Sequence, residues 1–285
     1  MSEPKGRGEG RTGRWAEPPR RAERTVTSAD GTAIVFDQSG VGPAVILVPG
    51  ALMNRADPIL SAVAAGLSRW FTVFSYDRRG RGDSGDTRPY AVEREAEDLA
   101  ALIAAAGGSA AVFGGSSGAA LALRAAVRNP AISRLALWEP PYHVDGTAPR
   151  LPHDFAEELD GLVSAGRPAD ALELFMVKAV QATPEAVAGM RAQPVWPAME
   201  AAAQTLAYEA LVMGQDNALP AALLARITQP TLVLSGGDSP AWMGRSAKAV
   251  AEAIPGAVHR VLEAQAHDVS PQAIVPELLE FFAAA

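Results

Sequence analysis

The hydrophobic positions of this chain fall into two alternating patterns. Short, continuous aliphatic runs occur at residues 44–48, 72–76, 110–113, 135–138 and 231–235, with a weaker one at 259–262. Runs of that length with no polar alternation predict strands buried on both faces. Between them, Ala-, Leu- and Arg-rich stretches at about 57–68, 93–106, 118–129, 241–253 and 272–284 have the length and spacing of amphipathic helices. Regular strand-helix alternation predicts a parallel sheet with right-handed crossovers and helices on both faces. A ligand site is then expected at the carboxyl ends of the strands.

Two stretches depart from this rhythm. Residues 25–37 read as two β-rich runs around Asp30-Gly31, a pair suited to a tight turn, so an antiparallel hairpin is expected to open the fold. Residues 145–225 carry helical pattern and no convincing strand, at 155–164, 169–182, 184–192 and 197–213. The expected organisation is a flexible arm over 1–24, an α/β core over 25–144 and 226–285, and a helical cap inserted at 145–225.

Composition narrows the function classes. A net charge of −7 without long single-sign blocks offers no electrostatic footprint for a phosphate backbone, so nucleic acid is not an expected partner. The chain has no cysteine, which removes disulfides, thiolate metal sites and a Cys nucleophile. No apolar run approaches the roughly 20 residues that span a bilayer, and the first 24 residues lack the apolar segment of a secretory signal. A cytoplasmic protein without membrane partners, metal or cofactor is expected, acting on a small molecule.

The sharpest local signal is Val112-Phe113-Gly114-Gly115-Ser116-Ser117-Gly118-Ala119-Ala120, where an apolar strand meets a glycine-flanked serine and then an Ala/Leu helix. This is G-x-S-x-G in the strand-turn-helix setting of a nucleophile elbow, with Ser116 as the candidate nucleophile. The following helix start aims backbone N–H groups at developing negative charge, and Ser117 is expected to donate its backbone N–H there. Upstream stand Leu47-Val48-Pro49-Gly50-Ala51 and the run from Asp77 to Ser84, DRRGRGDS.

Taken together these motifs resemble the α/β-hydrolase superfamily, over nearly the whole chain from Thr25 to Phe282. The first upstream motif looks like the family's oxyanion loop, with Pro49 where many members carry histidine; the resemblance implies the Ala51 N–H as the second oxyanion donor. The second matches D-x-R-G-x-G-x-S, basic enough to suggest a phosphate cradle but a structural turn in this family.

A serine hydroxyl needs a base. Of four histidines, His153 falls in the cap, His259 enters a strand, and His143 follows Trp138-Glu139-Pro140-Pro141-Tyr142, where it could line a pocket. His267 lies in the loop between the last strand and the last helix, where the family places its base. The resemblance likewise points to Asp238 as the acid that orients it, completing the order Ser116, Asp238, His267; Glu139 is the reserve, because some relatives place the acid after the earlier strand. Met53, Met176, Met190, Trp196, Met199, Tyr208, Met213 and Trp242 are candidates for an apolar pocket between cap and sheet. The expected activity is attack by Ser116 on an ester, lactone or thioester. Carbon–carbon cleavage or a lyase reaction by the same residues, and a ligand receptor with little turnover, stand as alternatives.

Overall fold

The computed structural model describes residues 22–284. The chain opens with the expected hairpin, β1 (Ala22–Thr27) against β2 (Ala33–Ser39). Its turn is held by the Asp30 side chain, which accepts from the Thr32 N–H at 3.0 Å. Glu23 and Arg24, assigned above to the arm, pair with Asp37 and Phe36. The arm boundary therefore moves back to Ala22, and the rest of that segment lies outside the described residues.

The strands that follow are β3 (Ala44–Val48), β4 (Thr72–Tyr76), β5 (Ala110–Gly115), β6 (Ile132–Trp138), β7 (Thr231–Gly236) and β8 (Val258–Leu262). They form one eight-stranded sheet in the order β1-β2-β4-β3-β5-β6-β7-β8. Both pairings of β2 are antiparallel and every other pairing is parallel.

Alternation along the central strands feeds two cores. Ile46 and Val48 of β3 pack with α2 (Val92–Ala105), α3 (Ser117–Ala126) and α10 (Ala241–Ala253), through residues such as Leu102, Leu121 and Val250. Val45 and Leu47 face the opposite layer, α1 (Pro58–Leu67) and α11 (Pro271–Ala283), through Leu60, Val63, Ile274 and Leu278. Full burial of each such side chain is worth about 1.5–3 kcal/mol, which is why four-residue aliphatic runs suffice to place a strand.

Between β6 and β7 the chain runs through α4 (Phe155–Ser164), α5 (Pro168–Lys178), α6 (Pro184–Arg191), α7 (Trp196–Ala202), α8 (Leu206–Met213) and α9 (Ala221–Leu224). These helices have a core of their own, built on Phe155, Leu159, Leu172, Phe175, Trp196 and Leu206. The segment leaves and returns at one seam, where His143 bridges to Ala218 and its N–H donates to Asn217 O at 2.8 Å. Among the described residues no helix is long and apolar enough to cross a membrane.

Candidate active site

Strand β5 ends in a reversal that few side chains tolerate. Ser116 has φ 54° and ψ −128°, a left-handed backbone in a residue with a Cβ, and such strain persists only where the surroundings over-determine it. Here they do so from both sides. The Ser116 N–H donates to Trp138 O at 2.8 Å on the neighbouring strand, and the Ser116 carbonyl accepts from Ala119 N at 2.9 Å as α3 begins. Gly118 permits the close approach, because a Cβ there would stand 2.5 Å from Val48 O and 2.7 Å from Pro49 O.

The loop after β3 crosses directly over this turn. A Cβ on Gly50 would stand 3.1 Å from Gly115 O and 3.3 Å from the Ser116 Cβ. The loop ends where the Asp57 carboxylate caps α1, accepting from Ile59 N at 2.9 Å and Leu60 N at 3.1 Å, with Pro58 opening the helix.

His267 stands in the loop between β8 and α11, its side chain about one-third exposed. Two consecutive residues at the end of β6 hold it. The Trp138 indole N–H donates to His267 O at 2.8 Å, and His267 Nδ1 lies 2.7 Å from Glu139 Oε2. Glu139 is fully buried, with φ 42°, and its other carboxylate oxygen accepts from Gly236 N at 2.8 Å. Each carboxylate oxygen thus has a donor, which is what makes a buried carboxylate tolerable.

The partner expected for His267 was Asp238, and the structure puts Glu139 there instead. Asp238 is exposed, and its link to the histidine loop is through its backbone N–H, which donates to Gln265 O at 2.9 Å. The cause is the path of the chain after β7: Gly237 N donates to Leu262 O and Asp238 N to Gln265 O, so the backbone runs along the exit of β8. Asp238 and Ser239 do not cap α10 either, whose N-cap residue is Pro240.

Ser116 and His267 line one cavity of about 90 Å³, walled by Met53, Leu60, Val63, Phe113, Trp138 and Ile274 and almost wholly apolar. It lies under α1 and α11, and of the pocket candidates named from the sequence only Met53 reaches it. Trp196 and Met176 are buried inside the core of the inserted helices, with Met190 and Met199 packed against it. Met213 belongs to the α2/α3 core, while Tyr208 stacks on Tyr90 and donates to Asp86 Oδ2 at 2.8 Å. Trp242 is buried edge-on to His143 at the seam, with ring centroids 5.9 Å apart. At these positions large side chains at helical spacing pack into the cores and the seam, away from the cavity that Ser116 and His267 line. Burial draws the His143 imidazole below its ordinary value, as suits a ring held at this seam.

The Asp77-to-Ser84 segment turns its arginines inward. Arg78 grips Glu95 with two bonds, at 2.6 and 2.7 Å, and reaches Glu209 at 3.0 Å; Arg79 grips Asp98 at 2.8 and 2.7 Å and Asp30 at 2.8 Å. Arg81 contacts Glu209 and Thr205 from the inserted helices and Gly50 O from the loop over Ser116. No cationic cradle faces outward from these three residues, all of them buried. Their sequence motif signalled a turn but carried no sign of Glu209, which is more than a hundred positions away. Among the described residues no cluster of three or more His, Asp or Glu could hold a metal ion.

A strained serine between a strand and a helix, a histidine held by a buried carboxylate, and an eight-stranded, mostly parallel sheet define a class of protein. A model of the alpha/beta hydrolase family matches residues 45–275, and the chain belongs to that family. It is similar to an alpha/beta hydrolase from Sphaerobacter thermophilus DSM 20745, at 54% identity and TM-score 0.85 over 91% of this chain and 100% of that one. A hydrolase from Pseudomonas aeruginosa PA01 superposes with TM-score 0.72 at 25% identity, over 92% of this chain and 98% of the other. The Bacillus subtilis (strain 168) protein described as "Uncharacterized hydrolase YraK" is 38% identical over 104 residues, which is 35% of this chain and 38% of that protein.

Proposed function

We propose that this protein is a serine hydrolase that cleaves an ester or lactone carrying a small apolar acyl group, through an acyl-enzyme on Ser116. The observation that carries the reading is the buried Glu139 carboxylate on His267 Nδ1, beside a strained serine in the same cavity. With Nδ1–H donating to Glu139, the imidazole keeps an Nε2 lone pair to take the Ser116 proton as Oγ attacks the carbonyl carbon. The carbonyl pair moves onto oxygen, where the backbone N–H groups of Ala51 and Ser117 receive it. Ser117 opens α3, so its N–H belongs to the unpaired first turn of that helix. Collapse expels the alcohol, which takes its proton from the imidazolium; a water deprotonated by His267 then releases the acid and restores Ser116.

The size of the cavity bears on the substrate. About 90 Å³ of apolar space is less than the roughly 150 Å³ that accommodates benzene, so it suits an acyl group of a few carbons. The similar proteins from Sphaerobacter thermophilus and Pseudomonas aeruginosa are both hydrolases, which supports the reaction class.

The test is a pre-steady-state burst of leaving group from activated esters of graded acyl length, with fluorophosphonate labelling of the same preparations. Short acyl chains should give the burst, and Ser116→Ala should abolish burst and labelling while staying folded. A wild-type protein that neither bursts nor labels would mark a binding protein instead of an enzyme.

A further inference from the structure

The loop over Ser116 is held by buried cations. Arg81 Nη1 donates to Gly50 O at 2.6 Å and to Met53 O at 3.4 Å, and Arg78 Nη1 reaches Pro49 O at 3.4 Å. Consecutive carbonyls of this loop, Pro49 and Gly50, are thus gripped by guanidinium groups that share one carboxylate, Glu209 on α8. Arg81 has a second anchor in the inserted segment, Thr205 Oγ1 at 3.0 Å from its Nε.

Peptide planarity turns that grip into a statement about the site. Gly50 C=O and Ala51 N–H belong to one rigid plane and point in opposite directions, so fixing the oxygen on one side fixes the N–H on the other. Gly50 itself lies against Ser116. A charge-assisted bond of 2.6 Å to the carbonyl also polarises the amide, making its N–H a stronger donor. Stability is a poor reason for such a network, because buried ion pairs roughly break even against apolar replacements.

We propose that Arg81, seated by Glu209 and Thr205 of the inserted helices, is a positioning residue that sets the Gly50/Ala51 peptide for the oxyanion, so that packing of α8 governs transition-state binding. The inference rests on the reading of Ala51 as an oxyanion donor. It gives the insertion a part in the chemistry although its apolar residues do not line the cavity.

Arg81→Met combined with Glu209→Gln removes the cation without leaving an unpaired carboxylate, and Arg78 keeps Glu95. Three readouts are compared with wild type: kcat and KM on a short-chain activated ester, the affinity of a short trifluoromethyl ketone that forms a hemiketal oxyanion on Ser116, and the affinity of the corresponding secondary alcohol. The expected result is a loss of about 100-fold in kcat and in ketone affinity, the cost of a misplaced catalytic group, with KM and alcohol affinity within about threefold. Arg81→Lys, which keeps a charge but loses the fork, should show the same ketone-specific loss at about tenfold, and it decides the matter should the double variant not fold. Equal losses for ketone and alcohol, or ketone affinity unchanged in a folded variant, would overturn the proposal. A wild-type protein that takes no fluorophosphonate would instead overturn the serine hydrolase reading itself.

Discussion

Strands β6 and β7 lie side by side, and each runs into an acidic residue just beyond its carboxyl end, yet the two acids meet opposite environments. Glu139 follows β6 at once, is fully buried, and spends both oxygens, one on His267 and one on Gly236 N–H. Asp238 comes two residues after β7, on a backbone already tied to the exit of β8, and it is exposed. The difference is one of backbone path. At Glu139 the φ of 42° sets the side chain between the β7 terminus and the histidine loop, whereas at Asp238 the chain itself occupies the space next to that loop. A strand-end acid becomes a histidine partner where donors are waiting for both of its oxygens, and burial then enforces the pairing.

The largest expected effect breaks the comparison at its stronger side. Glu139→Gln keeps an acceptor for Gly236 N–H but can no longer stabilise an imidazolium, and its amide favours the wrong imidazole tautomer. Turnover should fall by about 10⁴-fold, the loss seen when a triad carboxylate becomes an amide. The measurement is kcat on one activated ester, with folding checked by circular dichroism and fluorophosphonate labelling followed in time. Near wild-type turnover in Glu139→Gln would remove Glu139 from the catalytic set.

Trp138→Phe sharpens the same comparison, because it leaves Glu139 in place while it loosens the backbone of His267 and trims one wall of the cavity. Trp138 joins both partners, accepting the Ser116 N–H at its carbonyl and donating its indole N–H to His267 O. The substitution keeps the first bond and deletes the second. A drop in kcat of about tenfold to 100-fold is expected from a slightly misplaced base. The lost buried hydrogen bond should cost about 1–2 kcal/mol in urea unfolding. A variant equally destabilised but fully active would show that the indole supports the fold without orienting the histidine.

Much of this architecture was legible from hydrophobic runs alone. Strands β3 and β4 fall on their expected ranges because an uninterrupted aliphatic run leaves few alternatives once both faces are buried. β1 began earlier than expected because Glu23 and Arg24 lie on an outer strand, where exposed polar side chains imitate an unstructured arm. The elbow was legible since its chemistry is local. The acid was not, because the choice between Glu139 and Asp238 depends on the register of β6 against β7 and on where β8 exits, none of which leaves a mark in spacing. The helical pocket candidates missed the cavity for a related reason, while Met53 of the loop over Ser116 reached it: Trp196 and Met176 carry the same helical periodicity whether they face a ligand or one another.

The smallest expected effect tests the weaker side of the comparison. Asp238→Asn alters an exposed carboxylate whose link to the histidine loop, the N–H to Gln265 O, belongs to the backbone and survives the change. Stability should stay within about 0.5 kcal/mol, as for surface substitutions away from special features. Turnover should stay within about threefold, since the substituted carboxylate is solvated and its influence on the imidazole is screened. The double variant Glu139→Gln/Asp238→Asn then discriminates between two accounts of any residual activity. If Asp238 takes over when Glu139 is neutralised, the second substitution should cost a further order of magnitude or more. Where the two acids act independently, the losses simply add and the double variant matches Glu139→Gln. The backbone path argues for the second result, because a carboxylate held away from His267 by its own chain cannot replace one that the fold buries against it.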